Sequence, residues 1–265
     1  MTHLELIKQL DNKSNHERLD IIIATLNHLN VKYVTQEYST GKNLIVDLGD
    51  RSHRVGISSH FDRVKNSAGA NDNGSAIAVC IDIIQKFKNI DNNNIGLRVF
   101  FFDEEETGLK GSKAYVQQFG VKDLLGLSNL ELVGLGDKYA LWPVGKSSQG
   151  RILSTFERVS ETMHITTKRF DRIVTNTADH ISFQKAGLED SFTVTCISDE
   201  DIETAIHYYK ALEFEVDREP LAEIMSNALI FQHYHKPTDT FEKLNENSLI
   251  TTSSIVWNTI AAMEW

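Results

Sequence analysis

Two hydrophobic periods alternate between residues 53 and 136, and no other feature of the chain restricts its fold as much. The runs HRVGISSH, GLRVFFFDE and SNLELVGLG have the length and the β-branched or aromatic content of buried strands. Between them, SAIAVCIDIIQKFK and GSKAYVQQF carry apolar residues at helical spacing. Strands joined through helices predict an α/β fold with a mostly parallel mixed central sheet and helices on both faces.

The flanking sequence extends that pattern. ERLDIIIATLNHL reads as a helix that Ser14 or Asn15 can cap, and NLIVDLG as a short strand. Further on come a strand-like YALWPVG, an amphipathic helix GRILSTFERVSETM, a helix ADHISFQKAG and a buried strand SFTVTCIS. DIETAIHYYKALEF and PLAEIMSNALIFQ are helical in pattern and form a helical insertion at about 196–230, suited to covering a cleft, to an oligomer contact or to an extra surface helix. SLITTSSIVWNTIAAMEW predicts a terminal helix. No repeat or Pro/Gly-rich linker interrupts the 265 residues, so a single domain over 1–265 is expected.

Composition removes several function classes. With 27 Lys and Arg against 37 Asp and Glu, a formal charge of −10, no basic stripe exists to follow a phosphate backbone, and nucleic acid is not an expected partner. The first residues lack the basic-then-apolar pattern of a signal peptide, and no apolar run reaches the roughly 18 residues of a membrane span, which makes a cytoplasmic location without membrane contact the expectation. Cys80 and Cys196 lie far apart in apolar surroundings and read as buried free thiols.

In open sheets of this kind ligands bind beyond the carboxyl ends of the strands. There the sequence places His60 and Asp62 of SSHFD, the acidic run in FFDEEETGLKGS, and Glu131 of NLE, with Asp72 in the GANDNGSA loop shortly after His60. Carboxylates gathered at one edge repel each other, and a divalent cation makes such a cluster tolerable. In an extended segment His60 and Asp62 share a side, so Asp62 can orient the His60 ring. Taken singly, each piece also has a plain structural reading: a surface His beside an Asp, a capped turn, a solvated charge run. His235 sits in QHYHKPTDTF, where His233 competes for the same role, and Asp179 and His180 in ADHISF fit an ordinary helix start equally well.

Taken together and in order, SSHFD, GANDNGSA, EETGLKGS, NLELVG, ADHISF and HKPTDT resemble the M28 family of zinc peptidases over residues 55 to 245. The resemblance implies a zinc-exopeptidase, phosphorylase/hydrolase-like sheet and two Zn2+ ions, with Mn2+ or Co2+ as alternatives in an oxygen-rich site. It implies that His60, Asp72 and Glu131 hold one ion and that Asp72, Glu106 and His235 hold the other. Glu105 then becomes the general base in hydrolysis of a peptide bond by water shared between the ions, because only Glu105-Glu106-Thr107-Gly108-Leu109 fits the Glu-Glu-any-Gly-Leu pattern. Asp62 becomes the carboxylate behind His60, while Asp179 and His180 become substrate contacts. The activity so implied is release of N-terminal amino acids from a peptide or small aminoacyl substrate. Glu131 departs from the Asp of many family aminopeptidases, which leaves the exopeptidase type open. The resemblance also extends to a glutaminyl-cyclase-like aminoacyltransferase with one zinc and to a non-catalytic binding protein on the same scaffold.

Overall fold

The computed structural model describes residues 1–49, 52–90, 96–171 and 178–263. Its elements run α1 (His3–Leu10), α2 (Asn15–His28), β1 (Val34–Glu37), β2 (Lys42–Leu48), β3 (Arg54–His60), α3 (Ser75–Lys88), β4 (Gly96–Phe102), α4 (Lys110–Phe119) and β5 (Leu124–Leu130). They continue with β6 (Lys138–Trp142), α5 (Arg151–Thr162), β7 (Thr167–Arg169), α6 (His180–Lys185), β8 (Ser191–Ile197), α7 (Asp199–Glu213), α8 (Arg218–Ser226) and α9 (Glu246–Ala261).

The strands form one eight-stranded sheet in the order β1-β2-β4-β3-β5-β8-β6-β7. Its centre is parallel, through the β3/β4, β3/β5 and β5/β8 pairs, and antiparallel pairings of β2 with β4 and β6 with β8 lead to the two edges. The mixed, mostly parallel α/β sheet expected from the alternating periods is therefore what forms.

Side-chain alternation splits the core between the two faces. Leu97, Val99 and Phe101 of β4 pack in the larger cluster with α3, α5 and α9, while Phe100 and Phe102 of the same strand pack with Tyr115 of α4 and Phe183 of α6. α3 is apolar nearly all round and buried from Ser75 to Ile81, as a helix between a sheet and further helices must be. Each of its fully buried Ile and Val side chains contributes about 1.5–3 kcal/mol. On the opposite face α4 lies very close to the sheet: a Cβ on Gly111 would stand 2.4 Å from both Asn43 Oδ1 and Asp103 O. Only glycine fits there.

Some boundaries differ from expectation. The strand read in SNLELVGLG begins earlier, at Leu124, and ends at Leu130, so Glu131 heads the turn that follows. Ser14 rather than Asn15 caps α2, in a reciprocal capping box with Glu17. PLAEIMSNALIFQ splits into α8 and a short 3-10 turn, Leu229–Phe231. α1, β1 and β7, of eight, four and three residues, are too short for periodicity to announce. The last two residues of the expected terminal helix, 264 and 265, lie outside the described residues. Among those described, no helix is long and apolar enough to cross a membrane.

Candidate metal centre

Register brings the chemistry together. His60, the last residue of β3, pairs with Phe102, the last of β4, so residues 103–106 emerge beside it. On the other side β5 ends at Leu130, and the Glu131 amide still donates to Val194 O of β8 at 3.0 Å. Three adjacent parallel strands thus deliver His60, Glu105-Glu106 and Glu131 to one edge. Asp72 arrives from the tightly wound, fully buried turn Ala70–Gly74 that opens into α3. His235 arrives from the segment after the 3-10 turn, held in the left-handed backbone region at φ 57°.

Asp72 stands between the two histidines. Its Oδ1 lies 3.3 Å from His60 Nε2 and its Oδ2 3.2 Å from His235 Nε2. Glu131 Oε2 is 3.2 Å from His60 Nε2, and Glu106 Oε2 is 3.1 Å from His235 Nε2. The five residues therefore sort into two sets, His60-Asp72-Glu131 and Asp72-Glu106-His235, that share Asp72. One ligand atom from each of His60, Asp72 and Glu106 lies within 4.8 Å of the others.

The donor set suits a divalent cation. Asp72 Oδ2, Glu106 Oε1 and His235 Nε2 are buried and lack a hydrogen-bond partner, a costly arrangement unless something else engages them. Burial opposes protonation of His60, yet Glu131, Asp62 and Asp72 outweigh it and hold the imidazole well above its ordinary pKa. Burial pushes Glu106 up to about 7, with His235 pulling it down and Asp72 adding to the rise. Burial also lifts Glu105 well above the carboxylate range; His60 opposes the shift, and Glu131, Asp179 and Glu106 add to it. A cation among these groups reverses that logic, favouring ionised carboxylates and neutral imidazoles.

A second layer holds the cluster. Asp62 accepts the amides of Glu105 and Glu106 on separate oxygens, at 3.0 and 3.1 Å, while its carbonyl and Oδ1 lie 3.0 and 3.3 Å from His60 Nδ1. Asp62 thus touches both the His60 ring and the loop that carries Glu105 and Glu106. Asp239 does the same for the other loop, accepting the amides of Asn71 and Asp72 at 2.8 and 3.1 Å. Asn73 and Asn129 donate to the two oxygens of Glu131 at 2.7 and 3.0 Å. Sequence reasoning did not single out Asp239, Asn73 or Asn129, although all three lie inside the quoted motifs. Asn129, two residues before Glu131 at the strand end, is the one that period two could have found.

The competing candidates separate as well. His233 is half-buried and bonds Thr238, 3.0 Å from its Nδ1, and Glu104 pairs with Lys110 at 2.9 Å and bonds Thr40. Asp179 and His180 are fully buried beneath the cleft and are not among the residues that line it. Both Asp179 oxygens lack hydrogen-bond partners, and burial raises its pKa to about 7. His180 Nδ1 lies 2.7 Å from Thr193 Oγ1, and burial depresses its imidazole to about 3.

The cluster opens into a cleft of about 370 Å³. Glu105 lines it and lies within ion-pair distance of neither histidine. The far wall is apolar, with Trp142, Ile197, Met225, Ile230 and Phe231, and α7 and α8 supply part of it. Tyr234 stacks on His235 with ring centroids 3.7 Å apart, closing the wall against the centre. The helical segment 196–230 therefore supplies part of the cleft lining.

Fold and cluster together define a mixed α/β sheet that gathers a candidate metal centre at one edge. The chain belongs to Peptidase family M28, whose sequence profile matches residues 43–260. It is 29% identical over 152 residues to aminopeptidase YwaD of Bacillus subtilis, a match covering 51% of this chain and 30% of that protein. Among solved structures, BSAP, a zinc aminopeptidase from Bacillus subtilis, superposes with a TM-score of 0.64 at 21% identity over 83% of this chain and 49% of its own. Porphyromonas gingivalis glutaminyl cyclase superposes with a TM-score of 0.75 at 15% identity over 99% and 98% of the two chains. The chain thus spans less than a third of the curated aminopeptidase it matches and about half of the solved one.

Proposed function

We propose that this protein is a zinc-dependent aminopeptidase that holds two divalent ions, one by His60, Asp72 and Glu131 and one by Asp72, Glu106 and His235. The observation that carries the reading is Asp72, whose two oxygens face two different histidines. A bound zinc pair would polarise the scissile carbonyl and make water at the site more acidic; manganese or cobalt would suit the same ligands.

The chain's own groups account for the rest. Glu105 lines the cleft outside both ligand sets, so its carboxylate is free to take a proton from the attacking water and return it to the departing amine. Asp62 keeps that carboxylate in place through the Glu105 amide. Among the described residues lining the cleft are the carboxylates of Glu105 and Glu131, which suit an α-ammonium. The apolar wall then receives an uncharged N-terminal side chain, excluding water from the reacting bond.

Glutaminyl-cyclase-like transfer is a second reading, in which the substrate amine attacks its own side-chain amide and ammonia leaves. It is favoured by the buried Asp179 carboxylate with neither oxygen hydrogen-bonded, a proton acceptor beside the cleft that hydrolysis does not employ. One panel separates the readings: metal-reconstituted protein with unblocked and N-blocked aminoacyl-anilides and an N-terminal glutaminyl peptide. Release from unblocked substrates alone supports the aminopeptidase, and pyroglutamate with ammonia supports the cyclase. Silence across the panel refutes both and leaves a binding protein.

A further inference from the structure

Behind the cluster lies a cation that neither ligand set uses. Arg18 of α2 precedes the family-matched span and is 0% exposed. Its Nε donates to Phe61 O at 2.6 Å and its Nη1 to Gly69 O at 3.0 Å, with Leu10 O a weaker third acceptor at 3.4 Å. Nη2 has no hydrogen-bond partner, and among the described residues no carboxylate lies within ion-pair distance. Burying a guanidinium on carbonyl oxygens alone is expensive and needs a compensating reason.

The two main acceptors supply that reason. Phe61 stands between His60 and Asp62, and Gly69 opens the turn that carries Asp72. One rigid planar fork therefore spans the two segments whose spacing sets the distance from His60 to Asp72. The fit is close: a Cβ on Gly69 would come within 2.8 Å of Arg18 Nη1, and the residue's φ of +79° also favours glycine. Burial lowers the guanidinium's pKa to about 10, and Asp72, Asp62 and Asp239 oppose the shift.

We propose that Arg18 is a positioning residue, which fixes the His60 and Asp72 segments at metal-binding separation from outside the family-matched span. The proposal rests on the metal-binding reading above. It is tested by zinc titration calorimetry and by melting with and without zinc, on the full chain and on R18M, R18K and L26A. Leu26 is a fully buried residue of the same helix, so L26A reports on lost helix packing alone.

R18M is expected to lose zinc affinity by about tenfold or more, the scale seen when a group orienting metal ligands is removed. R18K should recover part of the loss, since one ammonium can reach a carbonyl but cannot span both. L26A should melt lower yet bind zinc as the parent does. Unchanged affinity in R18M overturns the proposal, as does tighter binding, which is what removal of a merely repelling charge would give. Equal weakening in L26A also overturns it. If R18M does not fold, R18K decides by the same comparison: parental affinity in R18K then overturns the proposal, and weakened affinity supports it. A parent chain that binds no zinc overturns the metal reading and this inference together.

Discussion

The two sides of the cleft are built by opposite means. On the metal side nearly every group that shapes the centre is held by directional polar contacts: Asp62 on two amides, Asp239 on two more, Asn73 and Asn129 on the two oxygens of Glu131. On the far side α7 buries only Asp201 and Ala205, and among the described residues of α8 only Leu221 is buried. Asp201 closes the capping box of α7 with Ser198 and accepts the Ile230 amide at 3.1 Å, while Lys138 pairs with Asp199 at 2.8 Å and Tyr209 packs against Trp142 and Phe170. A centre that must place charges to a fraction of an ångström is pinned by hydrogen bonds, and a surface that only has to be apolar is leaned into place.

The contrast breaks most sharply at Glu105. E105Q should retain its zinc, measured by metal analysis, and lose peptide hydrolysis by about a hundredfold to ten-thousandfold. Activity near the parental rate would remove Glu105 as the base. Next in size is Asp239. D239A leaves the amides of Asn71 and Asp72 without their acceptor, and zinc affinity by calorimetry should fall about 10–100-fold, whereas a variant of the far wall should leave it untouched.

I230A tests that other side. Truncating one apolar wall residue should raise KM for substrates with apolar N-terminal residues by about 10–200-fold with zinc affinity unchanged, the range expected for lost methylenes in an apolar pocket. A fall in zinc affinity there would mean that the two sides are one unit.

The smallest effect lies away from both. His3 of α1 stands between Asp82 and Glu246, 3.3 and 2.9 Å away, and Asp82 also meets Lys86 at 2.9 Å. Burial lowers the His3 pKa, but hydrogen bonds to Asp82 and Glu246 outweigh it, and the net shift is upward. A raised folded pKa contributes stability that is complete below about 6.5, the unfolded value, and is lost as pH rises through the folded one. The parent should therefore exceed H3Q in denaturant stability at pH 6, and the gap should narrow as the pH rises above the unfolded value and through the raised folded one. A gap independent of pH would show that His3 acts by packing alone.

Legibility in the sequence follows the same division. β3, α3, β4, α4, α5, β8 and α7 were readable because each carries several turns or alternations of apolar residues, and period is what sequence displays best. The two candidate ligand sets and the choice of Glu105 came from the resemblance carried by the ordered motifs, since each motif taken singly also had a plain structural reading and His233 competed with His235. Asp239 and Arg18 were not readable, for a different reason. Each acts on backbone amides or carbonyls brought close only by the fold, and a partner without a side chain leaves no mark in the sequence. Arg18 did leave a faint one, an arginine four residues before Ile22 on the buried stripe of its helix.

Asp62 has a consequence for how such a centre can change over generations. Because its two oxygens grip the neighbouring amides of Glu105 and Glu106, the proposed base and the proposed ligand are geared together on one carboxylate. No substitution that shifts this carboxylate can retune one without disturbing the other, so affinity for the ion and speed of turnover cannot drift separately through this position. Descendants that need a different rate must find it elsewhere, and the loosely held helices across the cleft are the part of the molecule with room to vary.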